Sequence, residues 1–103
     1  VGLEAGDYGL MTAHLFDMLK PGGRLVIEDH DANDDMSFAQ QINLHRISRS
    51  YVERFMRDAG FVLTDTILID SKYDDRRFNV FRPGVRGRTD RFIATFEKPK
   101  QAS

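Results

Sequence analysis

The chain has 103 residues, of which 41% are apolar and 30% charged, and its formal net charge is −1. This length predicts one domain with a single hydrophobic core of modest size. No apolar run approaches the roughly 20 residues that a membrane-spanning helix needs, so a membrane-spanning helix is excluded. Without cysteine the chain has neither disulfides nor thiolate metal ligands, and its composition favours a soluble protein, with the cytoplasm favoured over other compartments.

The first predicted helix follows a glycine-rich start. Residues 1–9 contain three glycines and two acids, which predicts an entry loop. The chain begins with Val1 and shows no targeting signal, which favours a processed or truncated product. Residues 10–19 have apolar side chains at spacings of three and four, and Pro21-Gly22-Gly23 then ends the predicted helix. The predicted buried stripe consists of Met11, Leu15, Met18 and Leu19.

A strand and a second helix are predicted next. Residues 24–29 contain Leu25-Val26-Ile27, and this consecutive apolar run predicts a central strand that is covered on both faces. Residues 30–43 are polar and predict a long loop with at most a short helical turn. Either Ser48 as N-cap, or Ser50 and Glu53 as a capping box, starts a helix that ends at Gly60.

The second half of the chain predicts two more strands. Residues 61–69 are rich in β-branched side chains, and residues 91–97 alternate apolar and polar side chains. Residues 70–90 connect them as a long segment dense in arginine. The α/β core is thus assigned to residues 10–97 of a single domain, with residues 98–103 as a polar tail.

Acidic residues and a histidine follow the first predicted strand. Three aspartates within residues 31–35 come directly after Glu28-Asp29-His30. A calcium loop is excluded because Met36 stands where that loop needs glycine, so a solvated loop is favoured over a metal site. Open α/β sheets place ligands at the carboxyl ends of parallel strands. Glu28 and Asp29 are therefore candidate substrate-binding residues, and His30 is a candidate catalytic residue.

His45 and Arg46 directly precede the second predicted helix. His45 is a candidate general base, and Arg46 is a candidate for holding an anionic group of the substrate. The alternative is that His45 caps local backbone and Arg46 pairs with a nearby acid. This alternative is favoured, because the sequence shows no third residue that would orient the imidazole. His14 lies off the apolar stripe, which predicts a surface position.

The segment 72–91 contains arginines with phenylalanines between them. Such a segment can bind phosphate or single-stranded nucleic acid through charge and stacking. However, four aspartates lie in or beside it, and mixed charge in a long loop usually forms local salt bridges on a solvated surface. Nucleic acid is therefore disfavoured as a partner. The four aspartates are Asp70, Asp74, Asp75 and Asp90.

Several motifs resemble one enzyme family. Residues 19–27, LKPGGRLVI, resemble the segment between the fourth helix and the fifth strand of class I S-adenosylmethionine-dependent methyltransferases. Asp58-Ala59-Gly60-Phe61 is similar to the helix end that follows there. The remaining motifs resemble an uncharacterised bacterial group of predicted methyltransferases. They are Glu28-Asp29-His30, Leu44-His45-Arg46-Ile47, Val80-Phe81-Arg82-Pro83 with Arg86-Gly87, and Thr89-Asp90-Arg91-Phe92 with Lys98-Pro99.

The resemblance implies an α/β fold, namely the C-terminal half of a Rossmann-like methyltransferase sheet. It implies three strands in the order 1-3-2, the last antiparallel and inserted between the others, with two main helices in a three-layer arrangement. The implied cofactor is S-adenosylmethionine. Its glycine-rich loop is lacking, since residues 1–6 do not have the GxG spacing. We expect that the chain alone does not bind the cofactor and is inactive, and its cofactor-binding residues are unassigned.

The expected function is the C-terminal portion of such a methyltransferase, contributing substrate-cleft residues for an unassigned small molecule. The alternative is a non-catalytic binding or assembly module that uses the arginine-rich loop 72–91. In either case the strand at residues 24–29 has lost the neighbour it would have in the full sheet. An unpaired apolar edge favours pairing with another chain, which predicts a homo-oligomer through this strand.

Overall fold

The computed structural model describes residues 5–100 and contains three helices and three strands. They are α1 (Ala5–Met18), β1 (Arg24–His30), α2 (Phe38–Asn43), α3 (Arg49–Ala59), β2 (Val62–Ile69) and β3 (Arg91–Glu97). The strand order is β1-β3-β2, and both pairings are antiparallel. This confirms the predicted α/β fold, the order 1-3-2 and the two main helices. Within residues 5–100 no helix is long and apolar enough to cross a membrane.

The helices cover only one face of the sheet. β3 lies in the middle, and its alternate residues Phe92, Ala94 and Phe96 are buried in the hydrophobic core, as the alternation predicted. On the opposite face Val26 is 60% exposed and Ile67 is 51% exposed. The predictions of three layers and of a central first strand covered on both faces are therefore wrong for residues 5–100. The apolar run of β1 places one of its side chains on the uncovered face, because successive side chains point to opposite faces.

α1 begins earlier than predicted, at Ala5 rather than at residue 10. Residues 5–9 of the predicted entry loop are therefore helical, and residues 1–4 lie outside the described part of the chain. Helix propensity is low here, with Gly6 and Gly9 in the first two turns. Tertiary packing overrides this low propensity, because the Tyr8 ring packs on the Phe55 ring of α3, with 4.8 Å between the ring centroids.

The buried face of α1 also differs from the predicted stripe. Tyr8 and Thr12 are buried, whereas Met11 is 44% exposed and Met18 is 80% exposed. The hydroxyl of Thr12 donates a hydrogen bond to the backbone oxygen of Gly9, at 2.9 Å, so a polar residue is accommodated in the interior. Leu15 and Leu19 of the predicted stripe do pack against the core, so the prediction is confirmed for two of its four residues. It is wrong for Met11 and Met18, because a tyrosine and a threonine occupy buried positions that a count of apolar residues passes over.

Short-range signals set the limits of α2 and α3. Ser48 is the N-cap of α3 and accepts a hydrogen bond from the backbone N–H of Tyr51, at 3.2 Å, so the first of the two predicted starts is confirmed. Gly60 ends α3 with φ 112°, where only glycine is unstrained. α2 lies in the predicted loop, and a capping box formed by Ser37 and Gln40 begins it.

The carboxyl end of α1 is capped by a residue from the far end of the chain. The Lys98 ammonium donates hydrogen bonds to the backbone oxygens of Phe16 and Leu19, at 2.8 and 2.9 Å. A cation at this position complements the helix dipole. Gly22 and Gly23 exchange backbone hydrogen bonds with Lys98, so the turn before β1 is fixed to the end of β3. Lys98 therefore belongs to the folded core and not to the predicted tail.

Candidate functional site

The polar residues at the carboxyl end of β1 lie on both faces of the sheet. Asp29 lies opposite Phe92 of β3 in register, on the face that the helices cover. Glu28 and His30 alternate with it and lie on the open face. The Glu28-Asp29-His30 motif therefore does not form one cluster, and Asp29 belongs to a different cavity from His30.

Asp29 lines a cavity of about 320 Å³ between β1, α1 and the turn after α2. Its Oδ1 accepts a hydrogen bond from the backbone N–H of His30, at 2.7 Å. Burial raises the pKa of Asp29 above its ordinary value, although this hydrogen bond and the neighbouring His30 oppose the shift. A carboxyl group with a raised pKa in a cavity is a typical candidate for proton transfer.

Tyr8 and His45 line the same cavity. Burial and the negative charge of Asp29 raise the pKa of Tyr8 to about 12, so its hydroxyl stays protonated at neutral pH. His45 has φ 56°, which is uncommon for a residue other than glycine. Its ring contacts Phe81 edge-on, with 5.4 Å between the ring centroids. Strained backbone that the surrounding structure holds in place is often found at functional sites.

Arg46 lines the cavity as well, but its guanidinium is occupied by contacts within the protein. Both Arg46 and Asp74 have fully buried side chains, and their atoms approach to 2.6 Å. The guanidinium also donates hydrogen bonds to the backbone oxygens of Asp31, Phe78 and Asp75. All five N–H groups are thus engaged, with none left for a substrate. The proposed pairing of Arg46 with an acid describes this geometry, and the substrate-binding role assigned to Arg46 does not fit it.

A second set of ion pairs connects the β1 carboxyl end to the segment between β2 and β3. Arg76 bridges Asp31, at 3.5 Å, and Asp90, at 3.1 Å. The backbone N–H of Asp90 in turn donates to Oδ2 of Asp74, at 2.8 Å. Several hydrogen bonds, chiefly from Ser71 and Arg76, hold the pKa of Asp90 below its ordinary value against the opposing effect of burial. These contacts hold the long connection against the site.

The remaining arginines of the segment are largely engaged in local contacts. Arg77 forms a pair with Asp75 at 2.7 Å, and this hydrogen-bonded partner lowers the pKa of Asp75 to about 2. Arg82 lies 3.9 Å from the ring centroid of Phe78, and Arg88 lies 5.9 Å from that of Tyr73. The Arg77–Asp75 pair is a local salt bridge of the kind that the mixed charge predicted, whereas Arg82 and Arg88 contact aromatic rings.

On the open face His30 and Glu28 have separate partners. The Nδ1 atom of His30 lies 2.7 Å from the hydroxyl of Thr89. Glu28 pairs with Arg91, at 3.1 Å, in an exposed position. Among residues 5–100 no group of three histidine, cysteine or acidic side chains lies close enough to hold a metal ion. His14 is exposed, as predicted.

The residues that sequence reasoning missed are Tyr8, Asp74 and Thr89. The sequence predicts an entry loop at Tyr8, and it predicts a solvated connection at Asp74 and Thr89. Two of these residues contact a site residue that is distant along the chain: Thr89 contacts His30, and Asp74 contacts Arg46. The only available signal was a weak one, namely that Thr89-Asp90 belongs to a motif of the resemblance.

Replacing Asp29 by asparagine is expected to change the pH dependence of stability. The pKa of Asp29 in the folded state lies above its unfolded-state value of about 3.8, so the folded state holds the proton more tightly. The free energy of unfolding then falls as the pH rises through this range to the folded-state pKa. Asparagine keeps an oxygen acceptor for the His30 N–H and has no charge. In urea unfolding between pH 3 and 7, Asp29→Asn should gain stability relative to the wild type as the pH rises.

The matched control is Asp58→Asn, which removes an exposed carboxylate from α3. Because Asp58 and its partner Arg57 are both exposed, this replacement should change the free energy of unfolding by only about 0.5 kcal/mol across the range. A difference between Asp29→Asn and the wild type that is constant from pH 3 to 7 would contradict the proposed burial of charge at Asp29.

Comparison of the sequence with known proteins gives no assignment. No protein-family model matches the chain, and no curated protein is significantly similar to it. The function must therefore be inferred from the geometry of the site and from the motifs of the chain.

Proposed function

We propose that this chain is the C-terminal portion of an S-adenosylmethionine-dependent methyltransferase domain and contributes the side of the cleft that holds the methyl acceptor. The observation that carries the proposal is the position of β3, which lies antiparallel between β1 and β2. Together with the Pro21-Gly22-Gly23 turn before β1, this order agrees with the arrangement that the resemblance implies. The cavities at the carboxyl end of β1 support a ligand site there.

Asp29 is the best candidate in the site for accepting a proton. It is half-buried, has a raised pKa and lines a cavity together with Tyr8 and His45. A carboxylate in this position can take the proton that an acceptor hydroxyl or amine loses on methylation. His45 lines the same cavity and can contact the acceptor there, and Tyr8 can donate a hydrogen bond from its neutral hydroxyl. Arg46 is a positioning residue in this proposal.

The described residues do not fit the cofactor itself. Residues 5–100 contain no glycine-rich loop that follows a strand and starts a helix, since the Pro21-Gly22-Gly23 turn precedes β1 instead. In the proposal the methyl donor is bound by the preceding half of the domain, and no chemical step at the donor is assigned to this chain. The role of this chain is to bind and orient the acceptor and to receive its proton.

We further propose that two copies of the isolated chain associate through β1. Within residues 5–100 β1 pairs on one edge only, with β3, so its other edge offers free backbone groups. Such an edge can pair with the same strand of a second copy. In the complete domain this edge would be occupied by the neighbouring strand of the same sheet.

We expect the isolated 103-residue chain to be a dimer that does not bind S-adenosylmethionine at micromolar concentration. Sedimentation velocity of the chain with equimolar cofactor at tens of micromolar tests both points. The adenine absorbance at 260 nm shows whether cofactor sediments with the protein, and the sedimentation and diffusion coefficients together give the mass of the protein. Cosedimentation of the cofactor would contradict the missing cofactor site, and a monomer mass would contradict pairing through β1.

The methyltransferase assignment is tested on the polypeptide encoded by the reading frame that contains these residues. Its transfer of a labelled methyl group to a panel of small hydroxyl and amine compounds should depend on Asp29. The control is again Asp58→Asn, which should retain activity. A reading frame that adds no glycine-rich strand and loop before Val1 would overturn the proposal.

A further inference from the structure

A cavity lies on the open side of the sheet. It has a volume of about 490 Å³ and lies where the ends of β1, β2 and β3 meet the connection between β2 and β3. Its walls include apolar side chains, among them Val80, which is buried, and Phe81, which is 63% exposed. This is a typical size for a pocket that takes a small organic molecule.

The ionisable side chains that line this cavity are those of His30, Arg86 and Arg91, and no carboxylate among residues 5–100 lines it. Arg91 pairs with Glu28 at 3.1 Å, but both side chains are about half exposed, so the pair is weak and can open for a ligand. Within residues 5–100 the side chain of Arg86 has neither an ion pair nor a hydrogen bond. The cavity therefore carries positive charge that the protein itself only partly neutralises.

The polar side of the cavity is held in place by hydrogen bonds within the protein. Thr89 is 7% exposed, and its hydroxyl lies 2.7 Å from Nδ1 of His30, which fixes the direction of the imidazole. The hydroxyl of Ser71 donates to the backbone oxygen of Arg88, and the N–H of Ser71 donates to Asp90. Polar groups fixed before binding lose little entropy when a ligand arrives.

We infer that this cavity binds a small organic anion through a carboxylate or phosphate group. Arg86 supplies the principal charge, Arg91 a second one, and the His30–Thr89 pair a polar contact at the base. The arginine guanidinium suits both groups because its N–H groups match two oxygens of a carboxylate or phosphate. The inference does not rest on methyl transfer, since it depends only on this cavity and its charges.

The inference is tested by amide NMR titration of the 103-residue chain with inorganic phosphate and, separately, with malonate, at constant ionic strength. We expect saturable shifts of His30, Gly87 and Thr89 with at least one anion. Saturation by phosphate alone identifies a phosphate site, and saturation by malonate alone identifies a carboxylate site. Arg86→Gln should weaken the binding about tenfold or more, since a hydrogen bond to a charged group is lost.

Arg88→Gln is the matched control. Arg88 lies two residues away in the same segment, is exposed and carries the same charge, but does not line the cavity. Its replacement should change the affinity by about twofold or less, because salt screens a charge that does not contact the ligand. The absence of saturable shifts with both anions would overturn the inference. Equal losses of affinity in Arg86→Gln and Arg88→Gln would also overturn it.

Discussion

Replacing Arg46 by methionine is expected to lower the free energy of unfolding by about 3–5 kcal/mol, the usual cost of leaving one member of a buried ion pair without its partner. The side chains of Arg46 and Asp74 are both fully buried, so the remaining carboxylate cannot be hydrated without opening the fold. The change also removes hydrogen bonds to three backbone oxygens. Urea unfolding followed by circular dichroism measures the loss.

The same substitution at an exposed pair is the control. Arg49 pairs with Glu53 one turn away on α3, at 3.3 Å, and the two side chains are 42% and 29% exposed. Arg49→Met should cost only about 0.3–0.5 kcal/mol. Adding Asp74→Leu to Arg46→Met should recover part of the lost free energy of unfolding, because no unpaired charge then remains buried. Equal effects of Arg46→Met and Arg49→Met would contradict the buried network.

Replacing Phe92 by alanine is expected to cost about 3–5 kcal/mol, since the change removes a fully buried ring and leaves a cavity. Phe92 is 0% exposed and lies on the middle strand, where it faces the helices opposite Asp29 of β1 and Leu68 of β2. Neither neighbouring strand can move into the space without breaking its pairing with β3. Thermal and urea unfolding measure the effect.

Phe81→Ala is the control for this change, because Phe81 is 63% exposed. Its loss should alter the free energy of unfolding by only about 0.5 kcal/mol. Because Phe81 contacts the ring of His45, the variant also shows whether that contact contributes to stability. A Phe92→Ala variant with wild-type stability would contradict the position of β3 in the middle of the sheet.

The site residues were predictable in part. The end of β1 is recognisable as a site region because polar residues directly follow a strand there. The turn before α3 is recognisable because a histidine directly precedes the residues that cap the helix. Both are local features of the sequence. The division of Asp29 and His30 between two faces follows from the alternation of a strand. Which face the helices cover was not predictable, since the apolar residues of β1 fit either face. The structure therefore separated residues that the sequence places side by side.

What the sequence determined by itself is the set of elements whose signals act over a few residues. Ser48 starts α3, Gly60 ends it, and alternation identifies β3. Only the tertiary structure decided the contacts that give the site its properties. His30 meets Thr89 across 59 residues, and Lys98 reaches Leu19 across 79. The physical reason is that a cap or an alternating strand needs only its neighbours, whereas a buried charge or an oriented imidazole depends on where the whole chain brings its partner.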